Sequence, residues 1–119
     1  MTTEQVVHYR ELSAGYLRHA RQLLAEGDLP QASEKAWGAA AVLVKAIAEA
    51  RGWKHEGHRD LWTVIRRLVR ETGDSDLRLH FGYAQTMHIN IYEAAMEVED
   101  VEQYLGEAER LVGKLDSLI

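Results

Sequence analysis

The clearest helical signal in the sequence is EVEDVEQYLGEAERLVGKLDSL, residues 97–118. Apolar side chains recur in it with the 3.6-residue period of an amphipathic helix: Val101, Tyr104, Leu105, Ala108, Leu111, Val112, Leu115 and Leu118. Its acidic first turn complements the positive end of the helix dipole. The segment therefore predicts a helix that begins near Glu97 and buries one side against other helices.

Four earlier segments have the same period, and short joints separate them. Glycines suited to the left-handed conformation that closes a helix predict the ends of the first three helices: Gly27, Gly52 and Gly73. Asp28 is expected to cap the second helix, and Asp74 or Ser75 the fourth. No segment alternates with the period of two typical of a strand. The sequence therefore predicts an all-α, up-and-down bundle of four or five helices, with sequential helices antiparallel, in one domain spanning residues 1–119.

Composition excludes several classes of protein and site. The chain has 119 residues and no cysteine, which rules out disulfide frameworks, thiolate metal sites and cysteine nucleophiles. With 14 basic against 19 acidic residues the net charge is −5, so the surface as a whole is unsuited to nucleic acid. The longest apolar run, residues 36–44, is far shorter than the roughly 20 residues of a membrane span. Because the N-terminal sequence also lacks a signal-peptide pattern, we expect a cytoplasmic protein that does not bind membranes.

Charge is unevenly distributed along the chain. Residues 51–70 include six basic and two acidic residues, a local charge of +4, whereas residues 93–119 include eight acidic and two basic residues, a local charge of −6. Arg59, Arg66 and Arg70 fall on one side of the predicted third helix, as in a surface that contacts phosphate or RNA. The alternatives are a merely solvated side of an amphipathic helix, or a basic helix that packs on the acidic last helix within the chain or across a dimer.

Histidine is the remaining acid–base group with a pKa near neutrality. His88 lies on the apolar stripe of the fourth helix and shares a side of it with Tyr92, four residues later. The two side chains either complete the core together or line a pocket in which His88 transfers protons. His55 and His58 lie three residues apart before the third helix, but a metal site needs further ligands, so none is predicted. The alternative is that His58 caps that helix and His55 is solvated.

Five glycines fall inside predicted helices, where each costs up to about 1 kcal/mol relative to alanine. They are Gly15, Gly38, Gly82, Gly106 and Gly113. Such positions indicate close approach of two helices, or room for a ligand or a second copy of the chain.

Three short motifs resemble a known group of helical proteins. Residues 31–40, QASEKAWGAA, resemble the second-helix motif of the HEPN superfamily, in particular its archaeal PaREP branch. Residues 87–93, MHINIYE, are similar to the His-x-Asn-Phe-Tyr-Glu element of that branch, with Ile91 in place of phenylalanine. Residues 58–61, HRDL, match the His-x-Asp-Leu opening often seen on the third helix. The resemblance implies a four-helix up-and-down core, usually a homodimer, that associates with nucleotides or RNA.

Many active members of that superfamily are metal-independent RNases with an Arg-x(4–6)-His motif, whose histidine corresponds to His88. The arginine would then stand at position 81, 82 or 83, which hold phenylalanine, glycine and tyrosine. Only Arg51 and His58 satisfy the spacing in this chain. Without the arginine, His88 lacks the cation that stabilises the developing phosphorane charge, unless a second subunit supplies it.

The sequence therefore predicts a non-catalytic helical binding module that works as a homodimer without a metal or other cofactor. Its ligand is expected to be a nucleotide, an RNA or a partner protein such as a nucleotidyltransferase. The candidate ligand-binding residues are His88, Asn90, Tyr92, Glu93, His58, Arg59, Arg66 and Arg70. One alternative is a metal-independent RNase with an incomplete or dimer-built site, using His88 or the Arg51/His58 pair. Another is a purely structural or interaction protein.

Overall fold

The structure, a computed structural model, describes the backbone of residues 3–93 and 95–119 and the side chains of residues 3–89 and 95–119. Its helices in these ranges are α1 (Thr3–Ala25), α2 (Leu29–Arg51), α3 (His58–Thr72), α4 (Asp76–Glu93) and α5 (Val98–Asp116). No strand occurs among the described residues. The predicted all-α bundle is confirmed. None of the described helices is both long and apolar enough to cross a membrane.

The helix ends lie where the sequence predicts them, because each is set by local capping. The Asp28 carboxylate accepts a hydrogen bond of 3.2 Å from a backbone N–H in the first turn of α2. Gly52 and Gly73 end α2 and α3 in the left-handed conformation, with φ of 72° and 76°. Asp74 accepts the backbone N–H of Asp76 at the start of α4, and a capping box begins α5 at residue 97.

The four long helices α1, α2, α4 and α5 form the up-and-down core, with α2 packed against the other three. Arg10 near the start of α1 forms an ion pair with Asp116 at the end of α5, 2.7 Å apart. Arg21 near the end of α1 forms one with Glu109 in the middle of α5, 2.6 Å apart. These two pairs show that α1 and α5 are antiparallel.

The contact between α1 and α2 is close at one glycine. A Cβ atom at Gly38 would lie 3.1–3.2 Å from two ring carbons of Tyr16, which is tighter than an ordinary contact. One turn away, the Ser13 hydroxyl donates a buried hydrogen bond of 2.8 Å to the Ala39 carbonyl. Gly38 therefore confirms the prediction of close helix–helix approach. A Cβ at Gly113 would meet nothing within 4 Å, so that glycine serves no such approach.

Helix α3 departs from the expected antiparallel order. His58, its first residue, contacts Trp37 in the first half of α2, with ring centroids 5.2 Å apart. Glu71 in the last turn of α3 binds Arg51 at the end of α2, 2.5 Å apart. Because the start of α3 lies beside the first half of α2 and its last turn lies beside the end of α2, α3 runs in the same general direction as α2. The joint at residues 52–57 returns toward the start of α2, so a short joint does not here make its two helices antiparallel.

The core has two parts, and the predicted stripes fill both. The larger joins α2, α3, α4 and α5 around Phe81, and the smaller joins α1, α2, α4 and α5 around Met87. The α5 stripe is buried as expected at Val101, Leu105, Ala108, Leu111 and Leu115. His80 is also buried, which the sequence did not predict. It stands three residues after Leu77 and four before Ala84, which is a helical signal for burial.

Candidate functional site

Three rings from three helices meet at the start of α3. Trp37 of α2 is buried, and its ring centroid lies 5.2 Å from that of His58 and 5.3 Å from that of His88. The two imidazole centroids are 5.5 Å apart. We call this set the histidine cluster. The structure therefore brings together two candidate residues that are thirty positions apart in the sequence.

Aromatic packing holds the histidine cluster from behind. The Phe81 ring lies 5.6 Å from Trp37 and meets Trp62 edge-on at 4.7 Å. The Trp62 indole N–H donates a hydrogen bond of 3.0 Å to Gln85. At the edge of the histidine cluster His58 is exposed to solvent, whereas His88 is half-buried. The cluster is therefore a wall of fixed rings with one imidazole open to solvent.

The suggested alternative roles of His55 and His58 are wrong. Gly57, not His58, is the N-cap of α3, and no side chain caps that helix end. The His58 ring instead packs against Trp37. His55 is half-buried rather than solvated, because its Nε2 lies 2.9 Å from a carboxylate oxygen of Glu49. His55 therefore fixes the joint to α2 and does not face a common ion with His58.

Three further candidates lie outside the described side chains. Asn90, Tyr92 and Glu93 belong to the last turn of α4, where the structure describes the backbone alone. Their roles beside His88 stay predictions. Among the side chains that are described, no group of three or more histidines and carboxylates is arranged to hold a metal ion.

The basic side of α3 is open to solvent. Arg59, Arg66 and Arg70 are all exposed, and within the described part of the chain none of them forms an ion pair. The guanidinium carbon of Arg66 lies 5.8 Å from the ring centroid of Trp62. We call these three arginines the arginine face. Their exposure agrees with the predicted basic surface, and binding of an anion there stays a prediction.

The acidic last helix does not neutralise the arginine face within the chain. Among the described residues no ion pair joins α3 to α5. The α5 carboxylates pair instead with Arg10 and Arg21 of α1, and the pKa of Arg21 is raised by its hydrogen bond to Glu109. The alternative that the two helices meet within the chain is therefore wrong, and the alternative that they meet across a dimer stays a prediction.

The Arg51/His58 pair is not brought together within the chain. Arg51 binds Glu71 in the last turn of α3, whereas His58 is the first residue of that helix. Thirteen residues of helix separate the two ends by about 20 Å. The two residues are close in sequence but far apart in the fold, because the joint doubles back between them, so they do not form a catalytic pair within the chain.

A cavity of about 380 Å³ lies between the joint and α3. It is lined by Trp53 and Lys54 of the joint and by Asp60, Thr63, Val64 and Arg67 of α3. None of these residues is among the ligand-binding candidates predicted from the sequence. The available signal is the spacing i, i+3, i+4, i+7 on α3, which places four residues on one side of the helix.

A partly buried contact between His80 and Glu107 lies on the other side of α4. The Nδ1 atom of His80 is 2.5 Å from a carboxylate oxygen of Glu107, whose second oxygen is 3.0 Å from Arg110. The Nε2 atom of His80 is buried and has no hydrogen-bond partner among the described atoms. The contact joins α4 to α5.

Comparison with known proteins identifies the family. Residues 8–112 match the model of the archaeal PaREP1/PaREP8 family. The chain belongs to this family. A crystal structure of a Sulfolobus solfataricus protein has the same fold, with a TM-score of 0.80, 20% sequence identity, and coverage of 89% of this chain and 94% of that chain. No curated protein matches. The resemblance to the PaREP branch is confirmed, whereas membership of the HEPN superfamily stays a prediction.

For this PaREP1/PaREP8 protein, the site therefore offers two kinds of chemistry, one along the exposed side of α3 and one at its first residue. The exposed arginines and Lys54 supply positive charge for anions. The histidine cluster supplies two groups that can exchange protons and a fixed aromatic surface.

Proposed function

We propose that this protein is a non-catalytic, HEPN-like module that binds RNA through the arginine face of α3. The observation that carries the proposal is that Arg59, Arg66 and Arg70 are exposed on one side of a single helix without an acidic partner in the described part of the chain. Arginine forms charge-assisted, two-pronged hydrogen bonds with phosphate. Phosphate contacts supply most of the affinity of proteins that bind nucleic acid.

The shape of the arginine face favours a polymer over a single anion. Its outer members are eleven residues apart, which corresponds to about 16 Å along the helix axis and allows contact with more than one phosphate. Trp62, which lies beneath Arg66, and the open ring of His58 add surfaces on which bases can stack. The net charge of −5 repels RNA from the rest of the molecule. Binding is therefore confined to this face.

Fluorescence anisotropy with a labelled single-stranded RNA tests the proposal. We expect wild-type protein to bind at low salt and Arg66→Glu to bind more weakly. The matched control is Arg18→Glu, which reverses an exposed arginine on α1, a helix that does not pack against α3. Failure of the wild type to bind RNA, or equal losses in the two variants, would contradict the proposal.

The histidine cluster supports one second candidate, a metal-independent RNase. Two imidazoles 5.5 Å apart are close enough for one to accept and the other to donate a proton at a single phosphodiester. The superfamily arginine is missing from positions 81–83, and Arg59, next to His58, is the nearest substitute in sequence. Incubation of structured RNA in EDTA tests this candidate. Cleavage that His58→Ala and His88→Ala both abolish would favour it, and intact RNA would exclude it.

A purely structural role makes a different prediction. In that case His88→Ala, which removes a half-buried ring from beside Trp37, lowers the melting temperature and leaves RNA binding unchanged. Assembly as a homodimer and association with a nucleotidyltransferase both stay predictions from the resemblance. Sedimentation velocity of the protein alone, and after mixing with such a partner, measures them.

A further inference from the structure

The cavity beside α3 has walls fixed by the local backbone. Gly52, in the left-handed conformation, ends α2, and the Trp53 backbone N–H then donates a hydrogen bond of 2.8 Å to a carbonyl of α2. This turn sends the joint back along α3, where Trp53 packs against the larger core. The volume of about 380 Å³ is at the lower end of the range for small-molecule sites.

The donors of the cavity are cations without acidic partners. The guanidinium carbon of Arg67 lies 4.2 Å from the ring centroid of Trp53, a cation–π contact that holds its plane in place. Arg51 approaches the same ring at 5.2 Å but is neutralised by Glu71. Within the described residues neither Arg67 nor Lys54 forms an ion pair. The cavity therefore presents two available positive charges.

The cavity also presents two hydrogen-bond acceptors, on Asp60 and Thr63, that a ligand must satisfy. One carboxylate oxygen of Asp60 accepts the Glu56 backbone N–H at 2.9 Å, which leaves the second oxygen for a ligand. The Thr63 hydroxyl donates its proton to the Arg59 carbonyl at 3.0 Å, so toward the cavity its oxygen can only accept. A phosphodiester group, which carries no proton to donate, satisfies neither acceptor. A ligand that carries hydroxyl donors next to a phosphate satisfies the whole set.

We propose that this cavity is a ribose-phosphate subsite, in which Arg67 and Lys54 bind the phosphate and Asp60 accepts a hydrogen bond from the ribose 2′-hydroxyl. The proposal rests on the RNA-binding function proposed above and adds a reason for preferring RNA to DNA, since the 2′-hydroxyl distinguishes the two. The same chemistry is offered by a nucleotide within RNA and by a free ribonucleoside monophosphate. Arg66 of the arginine face is adjacent in sequence to Arg67, so one RNA strand can reach both.

The experiment compares four probes on the folded, full-length chain: a single-stranded RNA, a DNA of the same sequence, AMP and 2′-deoxy-AMP. Fluorescence anisotropy measures the affinity for the RNA and the DNA, and calorimetry measures the affinity for the two mononucleotides. We expect wild-type protein to bind the ribo form about tenfold more tightly than the deoxy form, which corresponds to one hydrogen bond to a charged acceptor.

Asp60→Asn separates the recognition role of the carboxylate from its structural role. The amide oxygen of asparagine still accepts the Glu56 backbone N–H, while its NH₂ group replaces the acceptor that faces the ligand. We expect the preference for the ribo form to disappear and DNA affinity to stay equal or rise. The matched control, Asp76→Asn, removes an exposed carboxylate of α4 whose side chain makes no described contact, and should leave the preference intact. Arg67→Gln should weaken the binding of both the RNA and the DNA.

The outcomes separate the two proposals. Equal binding of ribo and deoxy probes by the wild type, or a preference that survives in Asp60→Asn, would overturn the ribose-phosphate subsite and leave RNA binding standing. Binding of AMP over 2′-deoxy-AMP without binding of RNA would support the subsite and overturn the RNA-binding function. No binding of any probe would overturn both. If Asp60→Asn does not fold, the wild-type comparison and Arg67→Gln decide the matter.

Discussion

Replacing Arg66 by glutamate changes the salt dependence of RNA binding by an amount that the arginine face sets. Each phosphate that a protein neutralises on a single strand contributes about −0.7 to the slope of log K against log salt concentration. The three exposed arginines of the face therefore give a slope of about −2, if each meets one phosphate. Between about 50 and 200 mM salt, these three contacts should lower wild-type affinity about twentyfold, and any phosphate bound by Arg67 and Lys54 adds the same amount to the fall in wild type and in Arg66→Glu.

In Arg66→Glu two of these contacts remain, which gives a slope of about −1.4 and a fall of about sevenfold over the same range. The new carboxylate also lowers affinity at every salt concentration. Anisotropy titrations at four salt concentrations measure both quantities, with Arg18→Glu as the control that should retain the wild-type slope. A wild-type slope near zero, or the same slope in Arg66→Glu and wild type, would refute the assignment of phosphate contacts to this face.

The remaining predictions concern stability. Phe81→Ala should lower the free energy of unfolding by about 3–5 kcal/mol in urea titrations, because the buried ring supports both Trp37 and Trp62; a loss below 1 kcal/mol would contradict its central place. Glu107→Ala should lower the free energy of unfolding by about 1–3 kcal/mol, since it leaves a buried N–H of His80 without a hydrogen-bond acceptor. An unchanged free energy of unfolding would contradict that contact. The hydrogen bond from Lys114 lowers the pKa of Asp74 below its ordinary 3.8. The hydrogen bond between Lys114 and Asp74 therefore stabilises the fold above pH 3.8, and this stabilisation is lost as the pH falls through the lower pKa that Asp74 has in the folded protein. Melting curves of Asp74→Asn and wild type should differ at neutral pH and converge in acid.

The helices and their ends could be predicted because their determinants are local. Asp28, Gly52, Gly73 and the capping box at residue 97 act over three or four residues, and each lies where the sequence indicates. The apolar stripes of α4 and α5 likewise identify the buried side from spacing alone. The burial of His80 was not predicted, because it depends on the hydrogen bond of its ring to Glu107 of α5, a contact between two helices that spacing along α4 does not reveal.

The charge pattern of the sequence predicted where the basic surface lies but not which of its cations are paired. The local charge of +4 at residues 51–70 correctly indicated an exposed basic surface on α3. It did not reveal which cations were already neutralised. Arg51 is bound to Glu71, whereas Arg67 lies on Trp53 without a described acidic partner. Ion pairing depends on which helix ends meet, and that information is not local.

Local features of the sequence predicted a bundle of four or five helices, their buried sides and the location of the basic segment, because backbone capping and helical periodicity are properties of neighbouring residues. The packing of the helices against one another established that α3 runs with α2, that His58 meets His88 across Trp37, and that the joint and α3 line a cavity. Each of these depends on how the six residues of the joint fold back after Gly52. A change in that path would displace every contact of α3 while leaving its helical pattern the same.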